Sequence, residues 1–294
     1  MKKYFLLLLL LLLHSFSTAQ NTPPKLLLRL DDNGMNHAVT MAIKQVAETG
    51  IPFSTSMMFT CPWYQKAIAE LKPFPRVSMG VHLVLNSEWK YYRWGPVLGT
   101  PTVPSLVDSD GYFFPSTDEF LKSKYRLKEV EKELEAQIHR AIGSGMKMDY
   151  VDYHMWTAVS TPELRAIVEK LAKKHRLGIA RYFDENYQSM FDVPVETKKT
   201  EFFKKLRSLE PDKVNLLVMH VAQDTPEMQA MIDMNNPDMH SETRPVVAMH
   251  RSTELNILLS KEFQEFVKSG SIKLVTYKDL VNEMGLEKMK APSD

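Results

Sequence analysis

Two adjacent aspartates and three histidines stand where short apolar runs of this chain end. Asp31 and Asp32 close LLLRLDD (26–32). His82 lies in VSMGVHL (77–83), Asp152 and His154 close MDYVDYH (148–154), and His220 ends VNLLVMH (214–220). Short apolar runs bounded by turn signals read as buried strands. In parallel β/α folds, catalytic groups collect at the carboxyl ends of the strands, so these residues are expected to converge. Two histidines and one carboxylate, with other positions open, make a catalytic divalent-metal site. Such an ion polarises a carbonyl and activates water, a carboxylate serves as general base and a histidine as general acid. The chemistry that follows is hydrolysis of an amide or an ester.

Taken singly, each residue also has a plainer reading. Asp31-Asp32-Asn33-Gly34 is a good turn leading into a helix, with aspartate as a cap. A lone histidine on an apolar strand is usually a core residue. Successive strand residues point to opposite faces, so Asp31 and Asp32 can divide the work, one binding metal and the other accepting a proton. Asp152 and His154 share a face, a spacing that suits a carboxylate orienting a ligand histidine. His37, His139 and His175 sit on helix patterns and read as surface residues. Cys61, the single cysteine, lies in FTCPW and reads as a buried inert thiol.

Strand and helix patterns alternate around these positions. Val39, Ala42, Ile43 and Val46 form a helical stripe stopped by Gly50. Phe53–Phe59 reads as a second strand, Tyr64–Leu71 as a short helix and Val77–Leu85 as a third strand. Residues 127–142 make the clearest helix, with Leu127, Val130, Leu134, Ile138 and Ala141 as its apolar stripe and its charges as a solvated face. Ser160-Thr161-Pro162-Glu163 opens another, ended by Gly178. A strand near Ile179–Phe183, a helix over 199–208, the strand Val214–His220, a helix over Glu254–Val267, a strand Ile272–Tyr277 and a helix Lys278–Met284 complete the series. This alternation predicts a single α/β domain, a parallel sheet with helices outside, closed or nearly closed into a barrel. Residues 86–118 interrupt the rhythm with Trp89, Tyr91, Tyr92 and Trp94 and read as a long ordered loop. Residues 221–244 read as a polar, methionine-rich loop.

The first nineteen residues have the make-up of a secretory signal peptide: Lys2 and Lys3, the apolar run Phe5–Leu13, then Ser17-Thr18-Ala19 before Gln20. A mature domain over 20–294, delivered to the periplasm or outside the cell, is the expectation. A chain of this length buries a sizeable core without disulfides. A net charge of +1 with 25% charged residues leaves no nucleic-acid footprint. There is no P-loop and no GxGxxG, so no nucleotide cofactor is expected. No later run is apolar and long enough for a membrane anchor, and oligomeric state is left open.

Several segments together carry a family resemblance. They are Leu30-Asp31-Asp32-Asn33-Gly34-Met35-Asn36, Ser54-Thr55-Ser56-Met57-Met58, Gly80-Val81-His82-Leu83-Val84-Leu85, Val107-Asp108-Ser109-Asp110-Gly111-Tyr112-Phe113, Asp152-Tyr153-His154, and Arg251 with Glu254-Leu255. In this order and spacing, from about Leu26 to Leu280, the chain resembles the carbohydrate deacetylases of the YdjC type, the ChbG/HpnK family. The resemblance implies a distorted β/α barrel related to the polysaccharide deacetylases and removal of acetyl from an N-acetylated sugar. It implies a divalent ion, magnesium by the family pattern, with zinc or manganese compatible with the same ligands. It makes Asp32, His82 and His154 the metal ligands, Asp31 the base and His220 the acid; His250, which also follows an apolar run, Val246–Met249, is second in line for the acid. Two positions depart from the family pattern. Met155-Trp156-Thr157-Ala158 stand where relatives carry further histidines, and Val221 replaces a proline after His220. Trp89, Trp94 and Trp156 are candidate stacking platforms for sugar rings. Arg251 is a candidate contact for an anionic substrate group or a tie between loop and barrel. The competing functions are a non-catalytic sugar-binding protein on the same scaffold and a metal hydrolase of another amide or ester bond.

Overall fold

The computed structural model describes residues 22–236 and 244–292; the amino-terminal segment read above as an export signal lies outside the described residues. Strand β1 (Lys25–Asn33) sits at the centre of the sheet. It is followed by α1 (His37–Glu48), β2 (Phe53–Met57), α2 (Tyr64–Leu71) and β3 (Val77–Leu83). Next come α3 (Thr117–Lys122), α4 (Leu127–Gly143), β4 (Tyr150–Tyr153), α5 (Pro162–His175), β5 (Gly178–Ile179) and β6 (Glu185–Ser189). The chain finishes with α6 (Lys198–Arg207), β7 (Val214–Met219), α7 (Pro226–Gln229), α8 (Val246–Leu259), α9 (Lys261–Lys268), β8 (Lys273–Val275) and α10 (Tyr277–Met284).

All pairings between these strands are parallel, in the order β5-β4-β3-β2-β1-β7-β6. β8 is wedged beside β1: Lys25–Leu27 pair with Lys273–Val275, and farther along Arg29 and Leu30 pair with Ser54 and Thr55 of β2. The expected β/α barrel is therefore present as a curled parallel sheet open between β5 and β6. Alternation along β1 serves two cores. Leu26, Leu28 and Leu30 pack outward under the helices, while Leu27 packs inward with Tyr150, Leu216, Val218 and Tyr277. Gly80 of β3 makes that interior possible, because a Cβ there would lie 2.4 Å from the Tyr150 ring.

Capping accounts for several helix starts. Asn36 accepts from Val39 N–H at 2.9 Å, and Thr161 accepts from Leu164 N–H with Pro162 in the first turn. The predicted helix over Glu254–Val267 is two helices, broken at Ser260, whose hydroxyl caps the second. Of the segment Ile179–Phe183 only Ile179 is strand, as the second residue of β5. The chain turns at Arg181, where φ is 69°, and a strand not foreseen, β6, follows. Its sequence ENYQS is polar because it lines the open side of the barrel, so it carries no apolar signal.

Residues 86–118 form an ordered loop, as expected, tied down by α4. Glu133 accepts from Val97 and Leu98 N–H, and Glu129 accepts from the backbone and hydroxyl of Ser105. The expectation that the charges of α4 form a solvated face is thus corrected for Glu129 and Glu133, which are buried because they satisfy loop N–H groups. Leu127, assigned to the stripe, is exposed.

Candidate active site

The ends of β1, β3 and β4 bring Asp32, His82 and His154 into one triangle. Asp32 Oδ1 lies 3.4 Å from His82 Nε2 and 3.4 Å from His154 Nδ1, and the two nitrogens are 3.2 Å apart. Adjacent strand residues ordinarily face opposite ways, yet Asp31 and Asp32 both line the same cleft. A register shift between Leu30 and Asn33 and a left-handed backbone at Asp32 (φ 62°) reset the alternation.

Each histidine is oriented from behind. His82 Nδ1 is 2.8 Å from Asp152 Oδ1, and His154 Nε2 is 2.9 Å from Glu88 Oε2. Asp152 thus does orient a histidine, but the one across the ladder on β3 rather than its own neighbour His154. Asp152 itself accepts from Ser56 at 2.5 Å and pairs with Arg29 Nε at 3.1 Å. Arg29 also grips Asp31 through two bonds of 2.7 and 2.8 Å. Arg251 reaches in from α8 to donate to Asp32 Oδ2 at 2.6 Å. One turn later on α8, Glu254 accepts the backbone N–H of His220 at 2.6 Å and pairs with Lys198.

The electrostatics follow from burial and these partners. Burial pushes against the charged forms of His82 and His154, but their carboxylates overcome it and raise them to about 10 and about 9. Burial would raise Asp32, yet Arg251 and the two histidines hold its carboxyl well below the usual range. Burial raises Asp31 above its ordinary value despite Arg29. Burial also lowers His220 to about 3, so its ring is neutral.

A divalent ion fits the triangle. Donors bonded to one ion at about 2.0–2.2 Å must lie roughly 3–3.5 Å apart, as these do. Asp32 Oδ1 is buried with no hydrogen-bond partner, which leaves its lone pairs open to a cation. Both histidines have the carboxylate support that ligand imidazoles need. Asp31, His82 and Asp152 are also close enough to form a donor set, but Arg29 already supplies a positive charge to both carboxylates. Elsewhere, His139 and His175 gather around Glu135, which already pairs with the Lys174 ammonium at 2.6 Å.

The cleft over the triangle has a volume of about 470 Å³. Asp31, His220, Trp89, Trp156 and Arg251 line it with the three candidate ligands. A second cavity of about 340 Å³ adjoins it past His220 and Trp89, and His250 lines only that one. Trp94 lines neither. It is 5% exposed, donates its indole N–H to Asn86 O and stands edge-on to His154 at 6.0 Å. Trp89 is 4% exposed and stacks under the Arg251 guanidinium, whereas Trp156 is 38% exposed. Sequence reading missed Arg29, Glu88 and Arg181. A lone arginine inside LLLRL was a legible signal for the first; Glu88 and Arg181 carry no local pattern.

The curled parallel sheet is a fold shared with polysaccharide deacetylases. The peptidoglycan deacetylase PdaC from Bacillus subtilis shares the fold, with a TM-score of 0.50 over 90% of this chain and 93% of that one at 12% identity. The YdjC-like protein family matches residues 25–269, and the chain belongs to that family. It is 27% identical to the carbohydrate deacetylase of Brevibacillus brevis over 262 residues, 87% of this chain and 99% of that protein. It is 28% identical to the carbohydrate deacetylase of Enterococcus faecalis, over 87% and 98% of the two chains. The crystal structure of a candidate cellobiose-phosphate cleavage protein from Enterococcus faecalis V583 superposes with a TM-score of 0.68 at 26% identity, covering 88% of this chain and 99% of that one.

Proposed function

We propose that this protein hydrolyses the acetamido group of an N-acetylated sugar, releasing acetate and the free amine, with a divalent ion as cofactor. The single observation that carries the reading is the unpartnered Asp32 Oδ1 facing two carboxylate-backed histidines, with Asp31 held beside it. The carbohydrate deacetylases to which the chain is similar support the substrate class. Asp32, His82 and His154 would hold the ion, magnesium by family pattern and zinc or manganese by ligand type, and its contribution when bound is Lewis-acid polarisation of the acetyl carbonyl.

Asp31 is the base. Arg29 fixes its orientation, each of its oxygens retains a second lone pair, and burial makes it more basic than a surface aspartate. It takes the proton of the attacking water as the carbon–oxygen bond forms. His220 enters as a neutral hydrogen-bonding imidazole whose Nδ1 is buried and unpartnered. Its backbone is pinned by Glu254, and its neutral ring acts as a relay, accepting at one nitrogen the proton that Asp31 has taken and passing a proton from the other to the leaving nitrogen as the carbon–nitrogen bond breaks. The proton taken up by Asp31 restores the balance. Trp156 offers an exposed aromatic face for a sugar ring. The leader sequence supports export as the setting.

The test is acetate release from N-acetylated mono- and oligosaccharides by protein stripped with chelator and reloaded with magnesium, zinc, manganese or cobalt. Metal-dependent release is the expected result. Bound metal and bound sugar with no acetate would instead make this a sugar-binding protein.

A further inference from the structure

Three arginines line the larger cleft, and two of them are committed: Arg29 to Asp31 and Asp152, and Arg251 to Asp32. The third, Arg181, has no carboxylate partner among the described residues, and its Nε is buried without a hydrogen bond. Its guanidinium instead packs against an edge-to-face pair of rings, 4.9 Å from the centroid of Trp156 and 5.3 Å from that of Tyr187, which are themselves 5.3 Å apart. Two strained segments build this cluster. Met155 and Trp156, directly after His154, have φ of 48° and 64°, and Arg181 has φ of 69°. Left-handed backbone at such residues is retained where surrounding structure enforces it, typically at ligand sites. Burying guanidinium nitrogen without an acceptor is unfavourable in the empty protein, and an anionic ligand removes that cost.

The acidic residues of the cleft do not oppose an anion at this spot. Asp31, Asp32 and Glu88 each face a cationic group, Asp192 is exposed at the rim, and Asp233 accepts from the Asn235 N–H and the Asn236 side-chain amide.

We infer that Arg181, packed against the Trp156–Tyr187 ring pair, recognises an anionic substituent, so that the substrate is an N-acetylated sugar bearing a carboxylate, sulfate or phosphate. The inference deepens the deacetylase reading and rests on it for the word substrate. The role first considered for Arg251 passes to Arg181, because Asp32 already engages Arg251.

The experiment compares the full-length mature protein, metal-loaded, with its Arg181→Gln and Arg181→Lys variants. The probes are N-acetylglucosamine disaccharides that are neutral or carry a uronate carboxylate, a 6-sulfate or a 6-phosphate. Both acetate-release kinetics and calorimetric binding are read at low and high salt. The wild type should favour at least one anionic sugar over the neutral one by about tenfold or more, through KM, since one charge-assisted contact supplies that much. Arg181→Gln should bring the ratio close to one, Arg181→Lys should recover part of it, and the three anions show which group is read. Equal handling of neutral and anionic sugars by the wild type, or a preference that survives Arg181→Gln in a protein of normal melting temperature, overturns the inference. Arg181-dependent binding of an anionic sugar with no acetate from any probe would sink the deacetylase reading and leave this one standing. Acetate release without charge preference would do the reverse, and absence of both would overturn both.

Discussion

Asp31 and Asp32 are neighbours in the chain, line one cleft and are held by different arginines. Arg29 binds Asp31 at 2.7 Å from within β1, and Arg251 binds Asp32 at 2.6 Å from α8. Their roles are therefore separable. Asp31→Asn should leave metal content near stoichiometric while cutting turnover by about two to four orders of magnitude, the scale of general-base catalysis. Asp32→Asn should lower both. Elemental analysis beside acetate release decides it, and loss of metal in Asp31→Asn would mean the assignments are reversed.

His82→Ala and His154→Ala should each empty the site and end metal-supported acetate release. Either variant retaining metal and full activity would remove that histidine from the ligand set.

The carboxylates behind the histidines should matter less than the ligands but measurably. Asp152→Asn and Glu88→Gln are each expected to weaken metal affinity by about 10- to 100-fold, since each orients an imidazole. Competition with a chromogenic chelator measures this. Unchanged affinity in both would mean that the triangle holds its shape unaided.

In the metal-free protein, His82 and His154 are raised from an ordinary value of 6.5 to about 10 and about 9. Groups whose folded value is raised stabilise fully below the unfolded value and lose that contribution as pH climbs through the folded one. Melting temperature of the chelator-stripped protein should thus fall between about pH 6.5 and 10, and Asp152→Asn should flatten part of that fall. Loading metal near neutral pH should release protons into weakly buffered solution. A stripped protein whose melting temperature is flat across this range would contradict the charged pairs.

Gly80 and Tyr150 should be coupled. Gly80→Ala forces a Cβ against the Tyr150 ring and should destabilise by about 1–3 kcal/mol, the range for overpacking. In a Tyr150→Ala background the same change should cost much less, and denaturant melts of the four proteins test it. Strict additivity would show that the contact relaxes elsewhere.

Much of this site was legible because strand ends announce themselves. The leucine run before Asp31-Asp32 and the apolar runs before His82, His154 and His220 marked where β1, β3, β4 and β7 finish, and a parallel fold does the gathering. What stayed hidden depends on partners distant in sequence. Asp152 and His82 are 70 residues apart and Glu88 and His154 are 66, so no local pattern ties them. Nor does strand alternation anticipate the left-handed turn at Asp32 that points two successive carboxylates into one cleft. β6 went unseen for a related reason: a strand on the open side of the barrel is polar and lacks the apolar run by which the others were found. The position of Trp94 could not be read either, because a buried loop tryptophan and an exposed sugar platform have the same composition.

The strand bearing the two aspartates is the first strand made, and two of its three neighbours, β7 and β8, are the last. β1 takes β7 on one side and, on the other, β8 beside β2, so its opening residues are secured only once Val275 has been made. Contacts of such sequence separation form slowly and cannot form in a partial chain. The strand that carries Asp31 and Asp32 therefore completes its pairing only when nearly the whole chain has been made, so the two carboxylates reach their final setting among the last events of folding.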